Sequence, residues 1–109
     1  DPGGYDINFV LNGEAGTMRL GARVTEASSG RTMEVHTDAP GVQLYTSNFL
    51  DGSVKGKSNI VYKKHAGFCL ETQRYPDAIN KEGKSGWPSV ILRPGDVYRH
   101  SILFTFSTE

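Results

Sequence analysis

Several side chains that could do chemistry fall in one short segment, residues 67–73 (GFCLETQ). Its alternation of apolar and polar residues predicts a β-strand, in which successive side chains point to opposite faces. Cys69, Glu71 and Gln73 then share one face, and the apolar residues between them share the other. A carboxylate beside an amide on a sheet face can act as a general base or bind hydroxyl groups.

A second segment, residues 42–46 (VQLYT), repeats this arrangement with Gln43 and Tyr45 on one face. A carboxylate, an amide and an aromatic ring together are typical of a sugar site, where the ring covers the apolar side of a pyranose. The same alternation also arises when Glu71 and Gln43 merely point to solvent, which is the more common situation for charged side chains. Alternation alone leaves both interpretations open.

The elements that must position these side chains are short alternating runs separated by Gly, Pro, Asn, Asp and Ser, a pattern typical of antiparallel strands. The predicted strands are residues 8–12, 18–26, 31–37, 42–46, 66–73, 90–92 and 97–106. Residues 27–30 should close a hairpin between the second and third strands, and a single helical turn is expected at 76–80. The sequence therefore predicts an all-β fold, an antiparallel β-sandwich or a piece of one.

Two features of this predicted fold concern its surface. Residues 51–64 form a polar loop that is long for a compact domain, which favours a functional lid or a surface excursion. One face of the last predicted strand must be covered, and it consists of Tyr98, His100, Ile102, Phe104 and Phe106. Because an uncovered apolar face promotes association, we expect the chain alone to aggregate or associate.

Charge excludes two classes of partner. Lys and Arg number 12, Asp and Glu number 12, and the formal net charge is zero, so no long-range field attracts nucleic acid or an anionic membrane. No run approaches the roughly 18 apolar residues of a membrane span, and no signal peptide is recognisable. The single cysteine, Cys69, cannot form an internal disulfide, which favours the reducing cytosol.

Length limits the chain to one core, because domains average about 100 to 200 residues and the chain has 109. We expect residues 1–109 to belong to a single domain. The chain begins Asp1-Pro2-Gly3-Gly4, without methionine, and this turn-rich start indicates a cut through a loop of something longer.

Neither nucleophilic nor metal chemistry is well supported. Cys69 has no histidine near it on the same strand, and a strand thiol usually packs as a small inert hydrophobe. His36, His65 and His100 lack the spacing of metal ligands, with His36 expected to be exposed on the hairpin. We therefore expect no metal site and no cofactor.

The chain resembles the aldose 1-epimerases, and the likeness extends over nearly its whole length. The segments that carry it, in the family's order, are Gly4-Tyr5-Asp6, Ser29-Gly30-Arg31, Pro40-Gly41-Val42-Gln43 with Tyr45, Asn48-Phe49-Leu50-Asp51-Gly52, Gly67-Phe68-Cys69-Leu70-Glu71-Thr72-Gln73, Pro76-Asp77-Ala78 with Asn80, and Leu92-Arg93-Pro94-Gly95. They correspond to the C-terminal portion of a family member. The run Asn48 to Gly52, with the Lys-Gly-Lys that follows, looks most similar to the animal enzymes.

The resemblance implies a large antiparallel β-sandwich whose concave sheet holds an aldohexose such as galactose or glucose. It implies that Glu71 is the general base for interconverting α and β anomers, and that Asp6 and Gln43 bind the sugar.

Two departures from the family pattern matter. Ile7 stands where members often have histidine, directly after the aspartate. The family's general acid is a histidine, assisted by a second histidine and an arginine, all upstream of this chain, and His36, His65 and His100 match none of these positions. The resemblance therefore makes the N-terminal portion of the same fold a necessary partner, and the chain alone should show little activity.

Three alternatives remain open. A basic patch at Lys55, Lys57, Lys63 and Lys64 is either a solvated loop or a phosphate site, and the second interpretation would indicate a hexose-6-phosphate 1-epimerase. A non-catalytic sugar-binding or regulatory member of the fold would keep Asp6 and Gln43 and lack the acid. A structural fragment would have no sugar site at all.

Overall fold

The structure, a computed structural model, describes residues 3–109 and is built from antiparallel strands, as expected from the alternation. The strands are β1 (Asp6–Val10), β2 (Arg19–Thr25), β3 (Arg31–Thr37), β4 (Gly41–Tyr45), β5 (Cys69–Gln73) and β6 (Ile102–Thr108). Two short 3₁₀ helices span Lys57–Asn59 and Ala78–Lys81. Between residues 3 and 109, no helix is long and apolar enough to cross a lipid bilayer.

The six strands form two three-stranded sheets. The first sheet has the order β1-β4-β5 and the second has the order β2-β3-β6. The chain passes from the second sheet to the first between β3 and β4, where Ala39 and Pro40 are buried and the Pro40 carbonyl accepts a hydrogen bond from Leu11 N at 3.0 Å. This crossover fixes the start of β4, the central strand of the first sheet.

The apolar inner faces of the two sheets meet only loosely. A cavity of about 400 Å³ separates side chains of the first sheet from those of β2, and it is lined among others by Phe9, Val42, Leu44, Leu70, Leu20, Ala22 and Val24. Of the apolar side chains described, five are buried: Val35, Ala39, Pro40, Val42 and Ala78. The radius of gyration is 16.8 Å, whereas a compact domain of this length would have about 13 Å.

The second sheet leaves an aromatic surface uncovered among residues 3–109. Met33 pairs with Phe106 and Val35 with Phe104, so these residues share one apolar face, as alternation predicted for the last strand. Val35 is fully buried, but Phe104 and Phe106 are 47% and 73% exposed. A sheet face of this kind favours association with another surface.

We expect the 109-residue chain alone to self-associate at micromolar concentrations, because burying each exposed phenylalanine is worth about 1.5–3 kcal/mol. Multi-angle light scattering would measure it. Replacing Phe104 and Phe106 with Asp should reduce the association, whereas Thr105→Asp, on the opposite face of β6, should reduce it much less. A stable monomer of the unmodified chain would contradict this expectation.

Strand ends are where the sequence-based expectations are wrong. Residues 90–92, expected to be a strand, have no pairing partner among residues 3–109. The last strand begins at Ile102 rather than at residue 97, because its partner β3 ends at Thr37 and the Ser101 amide donates instead to the Asp38 carboxylate at 3.1 Å. β1 begins at Asp6, two residues before the expected start, because Asp6 pairs with Tyr45.

Two other expectations concern loops and turns. The helical turn expected at 76–80 is present as the 3₁₀ helix Ala78–Lys81. The long loop after residue 51 is not structureless, because it contains the other 3₁₀ helix and an isolated bridge between Lys55 and Val61. The turn expected at Asp1-Pro2 lies outside the described residues.

Candidate functional site

The register of the first sheet brings polar residues from three strands onto its outer face. Gln43, on the central strand, pairs with Asn8 of β1 and with Glu71 of β5. Tyr45, two residues farther along β4, pairs with Asp6 and with Cys69. Because side chains alternate along a strand, all of these residues point to the same side of the sheet.

Hydrogen bonds connect the amides and carboxylates on this face. Gln43 Nε2 donates to Asp6 Oδ1 at 2.8 Å, although the two residues are 37 positions apart in the chain. Gln73 Nε2 donates to Asn8 Oδ1 at 3.1 Å and reaches Gln43 Oε1 at 3.5 Å, a long contact. The Asp6 carboxylate therefore determines which way the Gln43 amide points.

A concavity of about 460 Å³ lies over these residues, lined by Asp6, Gln43, Tyr45, Phe49, Glu71, Gln73 and Pro76. We call it the groove. Its volume falls within the range of about 300–1,000 Å³ that is usual for small-molecule sites. The groove combines two carboxylates, two amides and two aromatic rings, a composition that suits a ligand with many hydroxyl groups.

The aromatic part of the groove is formed by Tyr45 and Phe49. Their rings stack with centroids 6.4 Å apart and an interplanar angle of 25°. The Phe49 amide also donates to the Tyr45 hydroxyl at 3.4 Å, and the Phe49 side chain is 72% exposed. An exposed ring held against a second ring offers a fixed apolar surface to a ligand.

The Glu71 carboxylate is exposed and has no hydrogen bond or ion pair with any other described residue. By contrast, Glu34, a carboxylate in the middle of β3, is held by Arg23 at 2.7 Å. Both oxygens of Glu71 are therefore available to a ligand in the groove. A carboxylate in this situation can accept a hydrogen bond or a proton from a hydroxyl group.

Comparison with known proteins identifies the family of this chain. The family model described as aldose 1-epimerase matches residues 1–105. The chain belongs to the aldose 1-epimerase family. It is 54% identical over 104 residues to the galactose mutarotases of Rattus norvegicus and Homo sapiens, and 32% identical over 108 residues to the aldose 1-epimerase of Escherichia coli K12.

These matches cover most of this chain and a smaller part of each relative. The rat and human matches include 95% of this chain and 29% of the relative, and the E. coli match includes 97% and 30%. The chain thus spans about 29% of the length of the galactose mutarotases it matches.

The three site residues expected from the resemblance to aldose 1-epimerases, Asp6, Gln43 and Glu71, all line the groove. Their individual roles stay predictions. Glu71 is exposed, as the solvent-facing interpretation also expected. What the structure adds is that Glu71 shares one concave surface with Asp6 and Gln43, whereas alternation could place each residue only on its own strand.

The departure from the family pattern at Ile7 lies on the other face of the sheet. Ile7 pairs with Leu44, and neither residue lines the groove. A histidine at this position would therefore point away from the groove. Its substitution by isoleucine leaves the groove lining unchanged.

None of the three histidines lines the groove. His36 lies in the second sheet and is half-buried with its Nδ1 unpartnered, so the expectation of an exposed His36 is wrong. His65 Nδ1 lies 2.7 Å from the carbonyl oxygen of Thr46. His100, expected on an apolar face, is hydrogen-bonded to the side chains of Thr72 and Asp38.

Cys69 is exposed on the groove face, so the expectation that it packs as a small hydrophobe is wrong for the described residues. It pairs with Tyr45 at the edge of the sheet, where no further strand among residues 3–109 covers it. Residues 3–109 contain no cluster of three His, Cys, Asp or Glu side chains that could hold a metal ion.

Two groove residues were not assigned a role from the sequence, Phe49 and Pro76. Both lie in segments that carry the family resemblance, Asn48-Phe49-Leu50 and Pro76-Asp77-Ala78. An aromatic residue in a polar turn directly after a strand was the available signal for Phe49. Its contribution became visible only when the turn was placed beside Tyr45.

Proposed function

We propose that this chain supplies the sugar groove and the general base of an aldose 1-epimerase that interconverts the α and β anomers of hexoses such as galactose and glucose. The observation that carries the proposal is the unpaired Glu71 carboxylate in one groove with Asp6 and Gln43. The names of the similar proteins, galactose mutarotase and aldose 1-epimerase, agree with this activity.

In this mechanism Glu71 takes the proton from the C1 hydroxyl while a general acid protonates the ring oxygen, and the C1–O5 bond breaks. The open aldehyde rotates about its C1–C2 bond. The ring then closes on the other face of C1, with Glu71 returning its proton and the former acid taking one back. This chemistry needs no metal and no cofactor, and each positioned acid or base contributes about 10²- to 10⁴-fold.

Binding of the sugar falls to the other groove residues. The Asp6 carboxylate can accept hydrogen bonds from hydroxyl groups, and the Gln43 amide, which Asp6 orients, can also contact them. The exposed face of Phe49 suits the apolar side of a pyranose ring. A neutral hexose with its hydroxyls toward the sheet satisfies all three residues.

A partner for Glu71 must come from elsewhere, because no described histidine lines the groove. The family pattern assigns the general acid to a histidine upstream of the matched segment. We therefore propose that residues 1–109 are part of one β-sandwich domain whose remaining portion completes the site. The relatives' greater length agrees with this proposal.

We expect the 109-residue chain alone to raise the mutarotation rate of α-D-galactose little above the buffer rate, because the general acid is missing. A chimera in which this chain replaces the segment it matches in rat galactose mutarotase should restore turnover. Polarimetry on freshly dissolved α-D-galactose and α-D-glucose would measure both, and the unaltered rat enzyme is the positive control.

Three results of this experiment would contradict the proposal. Full activity of the isolated chain would show that no upstream acid is needed. A folded chimera that binds galactose in a calorimetric titration without turning it over would instead favour the non-catalytic, sugar-binding member of the fold. If the folded chimera neither binds nor turns over sugar, the result would favour the alternative in which the chain is a structural fragment without a sugar site.

The hexose-6-phosphate alternative is not supported by the groove. No lysine or arginine is among its described lining residues, and both charged residues there, Asp6 and Glu71, are acidic. A phosphate would be repelled by this arrangement unless the rest of the protein supplied cations. We also propose a cytosolic location, because the exposed Cys69 thiol is unpaired and suits a reducing compartment.

A further inference from the structure

A chain of hydrogen bonds lies behind the strand that carries Glu71. Thr72 Oγ1 lies 2.9 Å from His100 Nε2, and His100 Nδ1 lies 2.8 Å from Asp38 Oδ1. The backbone amide of Ser101 donates to both oxygens of Asp38, at 3.1 and 3.2 Å. Thr72 and His100 are 28 residues apart, and His100 and Asp38 are 62 apart, so the chain joins three distant segments.

This hydrogen-bond network lies on the side of β5 opposite the groove. Thr72 stands between Glu71 and Gln73, and its side chain points to the face opposite theirs. Among residues 3–109, β4 is the only strand that pairs with β5 in the first sheet. Asp38 directly precedes the buried Ala39 and Pro40, which lead into β4. The hydrogen-bond network therefore connects the middle of β5 to the start of β4.

Asp38 is the charged end of this hydrogen-bond network. Burial opposes ionisation of Asp38, but the hydrogen bonds from the Ser101 amide and from His100 outweigh it and hold the pKa of the Asp38 carboxyl below its ordinary value. The ionised carboxylate accepts from His100 Nδ1–H, and the other ring nitrogen, Nε2, is hydrogen-bonded to the Thr72 hydroxyl. Each polar atom in the chain then has a partner.

We propose that Asp38, His100 and Thr72 form a brace that holds β5 in place against β4 and thereby keeps Glu71 at reacting distance from the sugar. This inference rests on the proposed function. The three are positioning residues, because none of them lines the groove.

A hydroxyl, an imidazole and a carboxylate in this order are also the arrangement of a nucleophile, a base and its orienting group. The geometry argues against that role. Asp38 and His100 line a cavity of about 340 Å³ that lies beside Gln73, but Thr72 does not line it. A hydroxyl that does not reach the cavity has no access to a substrate there, so holding the strand is the role that fits.

The test is Thr72→Val in the chimera with rat galactose mutarotase, because valine keeps the shape and strand preference of threonine and removes its hydroxyl. We expect kcat for galactose mutarotation to fall about tenfold and KM to change less than about twofold. The expected loss is smaller than the ~100-fold that a 1 Å misplacement of a reacting group can cost. Thr72→Ser keeps the hydroxyl and should recover most of kcat. His100→Phe should resemble Thr72→Val, and the double variant should lose little more than either single one.

Thr25→Val is the matched control, because it removes the 2.9 Å hydroxyl pair between Thr25 and Thr32 in the second sheet. It should leave kcat unchanged. The brace is wrong if kcat of Thr72→Val stays within about twofold of the parent, or if Thr25→Val lowers kcat equally.

Failure of the proposed function would be recognised separately, as a folded parent chimera without mutarotation. Amide hydrogen exchange would then decide on the brace alone. Exchange of the β5 amides should accelerate in Thr72→Val and not in Thr25→Val, whereas unchanged exchange in β5 would overturn the inference.

Discussion

Replacing Glu71 with Gln should lower kcat for mutarotation at least about 100-fold, because glutamine keeps the size of the side chain and one acceptor oxygen but cannot accept the C1 proton. Galactose affinity should change little. Since Glu71 has no hydrogen bond or ion pair with other described residues, the free energy of unfolding should change by less than about 0.5 kcal/mol. Polarimetry, calorimetric titration and thermal unfolding of the chimera would measure the three quantities.

The control for this variant is Glu34→Gln. Glu34 is also a carboxylate in the middle of a strand, but Arg23 holds it at 2.7 Å and it lies in the second sheet. We expect Glu34→Gln to cost up to about 1 kcal/mol of stability and to leave kcat unchanged. If Glu71→Gln instead kept turnover within tenfold of the parent, Glu71 would not be the base.

The strands were predictable where their pattern is local. β3 was predicted to the residue, because its alternation of Thr, Met, Glu, Val, His and Thr is a property of consecutive residues. Residues 90–92 and 97–101 have suitable composition but no partner strand in the described part of the chain, and pairing is a property of the whole fold. For the same reason β1 begins at Asp6 and not at the predicted residue 8, because Asp6 pairs with Tyr45 of β4.

The groove was predictable only in part for a related reason. Alternation could place Glu71 and Gln43 on the faces of their own strands, but it could not show that β5 and β1 flank β4. The choice between a groove and a solvent-exposed face therefore depended on the family resemblance. The brace could not be predicted from the sequence, because its three side chains are brought together by the crossover between sheets and by the segment before β6.

Replacing Asp6 with Ala should raise KM for galactose about 10- to 100-fold, with a smaller effect on kcat. A hydrogen bond to a charged group is worth about 1.5–3 kcal/mol, and the Asp6 carboxylate would offer such bonds to the sugar. Its loss would also release the Gln43 amide, which donates to Asp6 at 2.8 Å. Initial-rate polarimetry of the chimera over a range of galactose concentrations would measure both constants.

Two further variants separate these contributions of Asp6. Asp6→Asn keeps an oxygen that can accept from Gln43 and removes the charge, so its KM should lie between those of the parent and Asp6→Ala. Asp51→Ala is the control, because Asp51 is an exposed carboxylate that caps the Ser53 amide at 2.9 Å and does not line the groove. An unchanged KM in Asp6→Ala would remove Asp6 from the sugar site. If Asp6→Asn instead equals Asp6→Ala, the charge itself binds the sugar and the orientation of Gln43 contributes little.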